Sequence, residues 1–232
     1  MRLFHVLSRG VDKRKIFLDI QDHFRFIHDL YEFNDRVPVG NNSREFKSYQ
    51  LSDVRHPTID EEKRKRDLLV YIHAFAIMPN HYHLLLSSVD EEENTIPLFM
   101  KKLNGGYAKY FNIKYERKGT LFESRYKAIE IIHEAHFFHI PYYIHCNRLD
   151  LSMHEWREGE LKNPEKAIAL LKKDRWSSHL DYCGEKNFSS VTQREFLLDF
   201  FGGSAGYKKS MKQWLKNISI ESVGRTASKI GE

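Results

Sequence analysis

Hydrophobic and polar positions along the chain alternate between two periods, and the change of period marks out the elements. Leu3 to Ser8 reads as a short strand, closed by Arg9-Gly10, where glycine permits a sharp turn. Phe24, Ile27, Leu30 and Tyr31 follow at helical spacing, predicting an amphipathic helix capped by Asp22 and running to about Asn34. From about 35 to 66 the pattern lapses into a polar, irregular stretch with Pro38, Gly40 and the charge run Asp60 to Asp67, read as an inserted loop. Leu68 to Met78 is strand-like, Pro79-Asn80 breaks it, and a second strand runs from His81 to Ser87.

Thr95 can cap the next helix, with Pro97 in its first turn and Leu98, Leu103, Tyr107, Tyr110 and Phe111 as apolar positions. Gly105-Gly106 inside it implies close packing or a bend. Gly119 to Ile132 predicts a turn feeding another strand, and a helix from about Glu134 carries Phe137, Ile140, Tyr143, Ile144 and Asn147. Shorter helices are expected near 165–172, 196–201 and 207–215. This order predicts an α+β, ferredoxin-like antiparallel sheet with helices on one face. The expected division is a catalytic domain over 1–184 and a helical C-terminal appendage over 185–232.

Composition narrows the class. With 232 residues, 41% of them hydrophobic, and 16 Phe, 12 Tyr and 3 Trp, the chain can bury a sizeable core, which argues against general disorder. The net charge of +5 has the sign suited to a phosphate-rich partner, though a merely basic surface explains it equally well. Cys146 and Cys183 lack paired spacing, so neither a disulfide framework nor a thiolate zinc finger is expected. The polar N-terminus and the lack of a long apolar run predict a soluble, cytoplasmic protein, nucleoid-associated when bound to DNA.

Candidate chemistry centres on His81-Tyr82-His83. Residues two apart on a strand point the same way, so both imidazoles leave one face while Tyr82, Leu84 and Leu86 enter the other. Two neutral imidazoles form half of a divalent-metal site. Asn147, one helical turn beyond Tyr143, can add an amide oxygen, and that donor set suits Mg²⁺ or Mn²⁺ with positions left for phosphodiester oxygens. Tyr143 is then a candidate nucleophile on phosphorus, although an ordinary packed aromatic accounts for it when it is taken alone. His133, His136, His139 and His145 crowd one segment and offer a rival zinc site. At helical spacing they drift around the surface, and no cysteine pair accompanies them.

Five stretches in order carry a family resemblance: His5-Val-Leu-Ser-Arg-Gly10 with Ile16-Phe17-Leu18 and Asp22, then His73 to Leu86, Gly119 to Ala128, Tyr143-Ile-His-Cys-Asn147, and Trp176 to Gly184. Over most of positions 3 to 184 the chain resembles the single-tyrosine HUH transposases of the insertion-sequence-200-like class, and within them the REP-associated tyrosine transposases. The resemblance implies a metal-dependent endonuclease and strand transferase. It would nick single-stranded DNA near REP-like hairpins, hold the 5′ phosphate on tyrosine, release a 3′ hydroxyl and rejoin strands by the reverse reaction.

It places the HUH histidines at His81 and His83, the nucleophile at Tyr143 and the helix-borne ligand at Asn147. For DNA contact Arg9, Arg125 and Lys127 come first, then Lys101, Lys102 and Lys109, with Tyr107, Tyr110 and Tyr126 as stacking platforms. Three features depart from the family. The tyrosine motif continues as Asn147-Arg-Leu-Asp-Leu-Ser152 instead of Asn-Pro-Val-Arg-Ala-Gly, Pro141 falls two residues before Tyr143, and the segment near 35–66 looks inserted. The alternative is a domesticated descendant that binds DNA or RNA hairpins without cutting. A monomer and a homodimer are both compatible with the sequence.

Overall fold

The computed structural model describes residues 1–37, 66–90 and 93–218. Most of the expected insertion, 38–65, lies outside the described residues. Strand β1 (Phe4–Arg9) leads through a 3₁₀ turn (Val11–Lys13) to helix α1 (Ile20–Glu32). Strands β2 (Val70–Met78) and β3 (His81–Ser88) form a hairpin, followed by α2 (Ile96–Lys114) and β4 (Lys127–Glu130). Helix α3 (Glu134–Cys146) runs into 3₁₀ segments at Asn147–Leu151 and His154–Glu158, and α4 (Pro164–Lys173), α5 (His179–Tyr182), α6 (Glu195–Phe201) and α7 (Gly203–Lys216) complete the chain. The sheet order is β2-β3-β1-β4, with antiparallel pairing throughout.

Helix α1 begins three residues earlier than the Asp22 cap predicted. Asp19 is the N-cap, its carboxylate accepting from the Asp22 amide at 2.9 Å while the Asp22 carboxylate accepts from the Asp19 amide at 3.3 Å. This reciprocal box satisfies two amides that the helix itself cannot pair, so the first acidic residue sets the boundary and the second closes it.

The side-chain pattern of the strands corrects the expectation of helices on one face only. Val6, Tyr82, Leu84 and Leu86 face α1 and α2 in one apolar cluster. Leu3, Leu7, Ala74, Ala76 and Leu85 face the other way into a second cluster with α3, α4, α6 and α7. Both faces of β3 are buried, which explains why its apolar residues run consecutively from Leu84 to Leu86 instead of alternating. Ala74 and Ala76 are the small residues over which α3 lies.

Helix α2 runs unbroken through Gly105-Gly106, and the two glycines differ in role. A Cβ at Gly106 would fall 2.2 Å from the Phe33 ring, whereas one at Gly105 would meet nothing within 4 Å. Gly106→Ala is therefore expected to destabilise the fold by about 1–3 kcal/mol through overpacking. Gly105→Ala should instead stabilise it by up to ~1 kcal/mol through helix propensity. Urea unfolding of the two variants checks the opposite signs.

Beneath α3 lies a buried polar network. His145 Nδ1 and His179 Nδ1 both meet the Tyr207 hydroxyl, at 2.7 and 2.9 Å, and His145 Nε2 meets Ser178 Oγ at 2.8 Å. On the β2 side His73 Nε2 meets Ser87 Oγ at 2.9 Å. Burial lowers His73 and His179 to about 4, so both are neutral in the fold at neutral pH. The unfolded chain takes up protons near pH 6.5 that these folded imidazoles refuse until about pH 4. Stability from both groups is thus complete above that window and declines as pH falls through it. Thermal unfolding should show a flat melting temperature above pH 7 and a drop toward pH 4.5. His73→Phe should flatten part of that drop.

Candidate active site

The β2–β3 turn at Pro79-Asn80 starts β3 at His81, and the strand's period of two then directs His81 and His83 to the same face as Leu85. Their rings lie 4.9 Å apart, edge to face, with His83 fully buried and His81 nearly so. Across the sheet, His81 pairs with Arg9, and His83 pairs with Leu7, which in turn pairs with Lys127. Directly opposed residues in an antiparallel pair project from the same face, so Arg9 and Lys127 flank the two imidazoles on that side.

Helix α3 brings Tyr143 onto this face. Its ring lies 6.2 Å from that of His83 and 5.9 Å from that of His5, edge-on to both. His5 Nε2 lies 2.9 Å from His83 Nδ1 in a buried hydrogen bond, with the two rings stacked 5.1 Å apart. His5 opens the first of the stretches that carry the family resemblance, but its pairing with His83 can be read only once β1 is registered against β3.

The hydroxyl of Tyr143 is buried and accepts a hydrogen bond from Arg157 Nη1 at 2.9 Å. The same guanidinium donates through Nη2 to Asn147 Oδ1 at 2.6 Å, while Asn147 Nδ2 donates to the Tyr143 carbonyl at 2.8 Å. Asp150 grips the Nε–Nη2 edge, accepting from Arg157 Nε at 2.8 and 2.9 Å, pairing with Nη2 at 2.6 Å, and accepting from Trp156 Nε1 at 2.6 Å. The Arg157 guanidinium also lies 5.0 Å from the Trp156 ring and 5.5 Å from that of Tyr143. Arg157 and Asp150 were missed in the sequence because they sit in 3₁₀ segments without periodicity, where a charged pair reads as solvated surface.

Neighbouring Tyr142 turns away, its ring 5.6 Å from Trp214 and 5.3 Å from Phe201, and burial pushes its phenol up to about 12. It belongs to the packing of α3 against α6 and α7.

In kind, the donor set fits a small divalent ion: two adjacent imidazoles, one of them held by a second histidine, and an amide oxygen at the end of α3. The Asn147 oxygen is engaged by Arg157, so an ion and a guanidinium compete for it. His136 and His139 lie on α3 and His133 at its N-cap, while His145 enters the Ser178–Tyr207 network. Among the described residues no set of three or more His, Cys, Asp or Glu converges as a metal cluster.

The remaining expected DNA contacts divide by face. Arg125 is exposed just before β4, near Lys127. Lys101, Lys102 and Lys109 lie on α2, which packs on the opposite face of the sheet from Tyr143. Lys102 is further tied to the Asp35 carbonyl. Tyr107 is fully buried with its hydroxyl on the Ile16 carbonyl at 2.5 Å, and Tyr110 donates to Asp22 at 2.9 Å. Both therefore work as α1–α2 packing residues, and Tyr126 rests against the same cluster.

Comparison with known proteins agrees with the family read from the motifs. Residues 45–147 match the family model described as "Transposase IS200 like". No curated protein matches the chain. Among solved structures, a REP-associated tyrosine transposase bound to a REP hairpin is similar at 10% sequence identity and a TM-score of 0.45, covering 80% of this chain and 81% of that one. No helix among the described residues is long and apolar enough to cross a membrane.

Proposed function

We propose that this chain, whose residues 45–147 belong to the IS200-like transposase family, is a single-strand DNA nickase and transferase of the REP-associated type. The observation that carries the reading is the meeting of Tyr143 with His83 on one face of the sheet, with Asn147 one turn beyond the tyrosine. The βαββαβ order and the β2-β3-β1-β4 arrangement support a ferredoxin-like HUH fold. On this reading residues 1–184 form the catalytic domain and 185–232 its helical appendage. The described part of that appendage packs its Leu197, Tyr207, Met211 and Trp214 into the α3 cluster.

The Tyr143 oxygen attacks phosphorus as the bond to the 3′ oxygen breaks. The product is a 5′ phosphotyrosine and a free 3′ hydroxyl. The phenol proton passes to solvent, the departing oxygen takes one up, and the reverse attack rejoins strands without an external energy source. His81 and His83 would hold Mg²⁺ or Mn²⁺, with Asn147 joining once Arg157 releases its oxygen. The ion supplies Lewis-acid withdrawal of charge from the scissile phosphate. Because the Tyr143 hydroxyl is fully covered, a strand reaches it only after the covering side chains shift. Arg9 and Lys127 on the imidazole face, with exposed Arg125 nearby, would guide that strand, whereas Lys101, Lys102 and Lys109 would have to engage DNA wrapped around to α2.

His5 has a defined part here. If His83 held the ion through Nε2, its Nδ1–H would donate to His5 Nε2, and that bond would fix both tautomer and ring orientation. His5→Phe is expected to weaken Mn²⁺ affinity about 10–100-fold, and His5→Gln less, as read by Mn²⁺ electron paramagnetic resonance titration. Equal affinities in both variants and the native chain would remove His5 from this role.

The reading is tested by incubating the protein with hairpin oligonucleotides from beside its own gene and Mg²⁺ or Mn²⁺, labelled at either end. The 3′-end label should stay with the denatured protein and the 5′-end label should leave on a shorter strand. A gel shift without any covalent product would favour a non-cutting hairpin binder.

A further inference from the structure

Arg157 meets the proposed nucleophile, yet the reaction as described gives it no task. Its Nη1 donates to the Tyr143 oxygen and its Nη2 to Asn147, while Asp150 fixes the guanidinium from behind. Arginine presents its N–H groups in a planar fork that matches two oxygens of one phosphate. Here Nη2 also pairs with Asp150 Oδ2 at 2.6 Å, and the N–H groups that face away from Asp150 rest on two neutral oxygens, a phenol and an amide.

We propose that Arg157 is a further catalytic residue, the one that binds the non-bridging oxygens of the scissile phosphate during attack by Tyr143. This rests on the nickase reading and gives the same site its phosphate-binding group. A phosphorus poised for attack stands about 3–3.5 Å from the attacking oxygen. Its non-bridging oxygens are one bond further on, and Nη1 is already 2.9 Å from that attacking oxygen. A phosphate that approaches the Tyr143 oxygen from the Arg157 side therefore brings a non-bridging oxygen toward the Arg157 fork. A charged phosphoryl oxygen is a stronger acceptor than a phenol or an amide, so the guanidinium exchanges its resting partners for the phosphate. That exchange releases the Asn147 oxygen at the moment the substrate arrives. Asp150 remains on Nε and on the near side of Nη2 throughout and keeps the fork aimed, and the Trp156 ring beneath holds its plane.

No bond to Arg157 forms or breaks. As the Tyr143–phosphorus bond forms and the bond to the 3′ oxygen breaks, the guanidinium neutralises charge that grows on the non-bridging oxygens.

The test is single-turnover adduct formation on a 3′-end-labelled hairpin oligonucleotide with Mn²⁺, comparing native protein, Arg157→Met and Arg157→Lys. The expected result is a loss of about 100-fold for Arg157→Met and a smaller one for Arg157→Lys, with hairpin affinity within about twofold of native. Asp150→Asn combined with Arg157→Met avoids stranding a half-buried carboxylate and serves if the single variant misfolds. The linkage cut by native protein is then replaced with a methylphosphonate, which removes the charge the guanidinium would neutralise. Arginine and methionine proteins should now differ only a few-fold. Rates for Arg157→Met equal to or above native overturn the proposal, as does a loss of the same size on both substrates, the mark of a structural part. Absence of adduct from native protein overturns the nickase reading as well.

Discussion

Tyr143→Phe is expected to abolish covalent capture of DNA, lowering the adduct rate by about a thousandfold or more, or about 4 kcal/mol of barrier. The change deletes one oxygen and leaves the ring where it packs against His5, His83 and Trp156. Arg157 loses a hydrogen-bond partner while the ring packing stays, so the fold should tolerate it. Tyr142→Phe is the matched control. Its phenol is raised to about 12 by burial, and its ring lies among Phe201, Tyr207 and Trp214, with no part in the imidazole face. It should form adduct at a rate close to native. Denaturing electrophoresis after incubation with labelled hairpin reads both, and an active Tyr143→Phe protein would remove this residue from the chemistry.

The second large effect is expected at the histidine pair. On the proposed reading His83→Ala should lower metal affinity and adduct rate by about a hundredfold or more, or about 2.7 kcal/mol each, because it would remove one of the proposed metal ligands. Hairpin affinity should change little, since the proposed contacts to the phosphate backbone are cationic side chains elsewhere. The imidazole also packs against His5 and Tyr143, so His83→Gln, which keeps a polar side chain, separates loss of ligand from loss of packing. Calorimetric Mn²⁺ titration and fluorescence anisotropy with hairpin DNA measure the two affinities. If both fall together in His83→Gln, the histidine is structural.

The parts of this architecture that the sequence made legible are those with a period. The strand at Leu3–Ser8, the β2–β3 hairpin broken at Pro79-Asn80 and the helix over Thr95–Phe111 lie where apolar spacing and turn residues place them. The same alternation predicted that His81 and His83 share a face, and they do. What escaped was tertiary. One residue's polarity does not reveal that β3 is covered on both sides, because α3 and its followers come from 46 or more residues later in the chain. Asp19 and Asp22 are both plausible caps, and only their reciprocal bonding shows which leads. Tyr107 and Tyr110 offered flat rings for bases, but the α1–α2 interface uses them first. Arg157 lies in a stretch with no periodic signal, so its place at the Tyr143 oxygen emerges only when the chain after α3 folds back.

The most direct measurement is the identity of the residue that carries DNA. After reaction with a hairpin oligonucleotide and Mn²⁺, the protein is digested with nuclease and protease, and the modified peptide is sequenced by mass spectrometry. Nucleotide-bearing phosphate on Tyr143 is the predicted result. Phosphate on Tyr142 or on any other side chain, or DNA cut with no residue modified, would contradict the account.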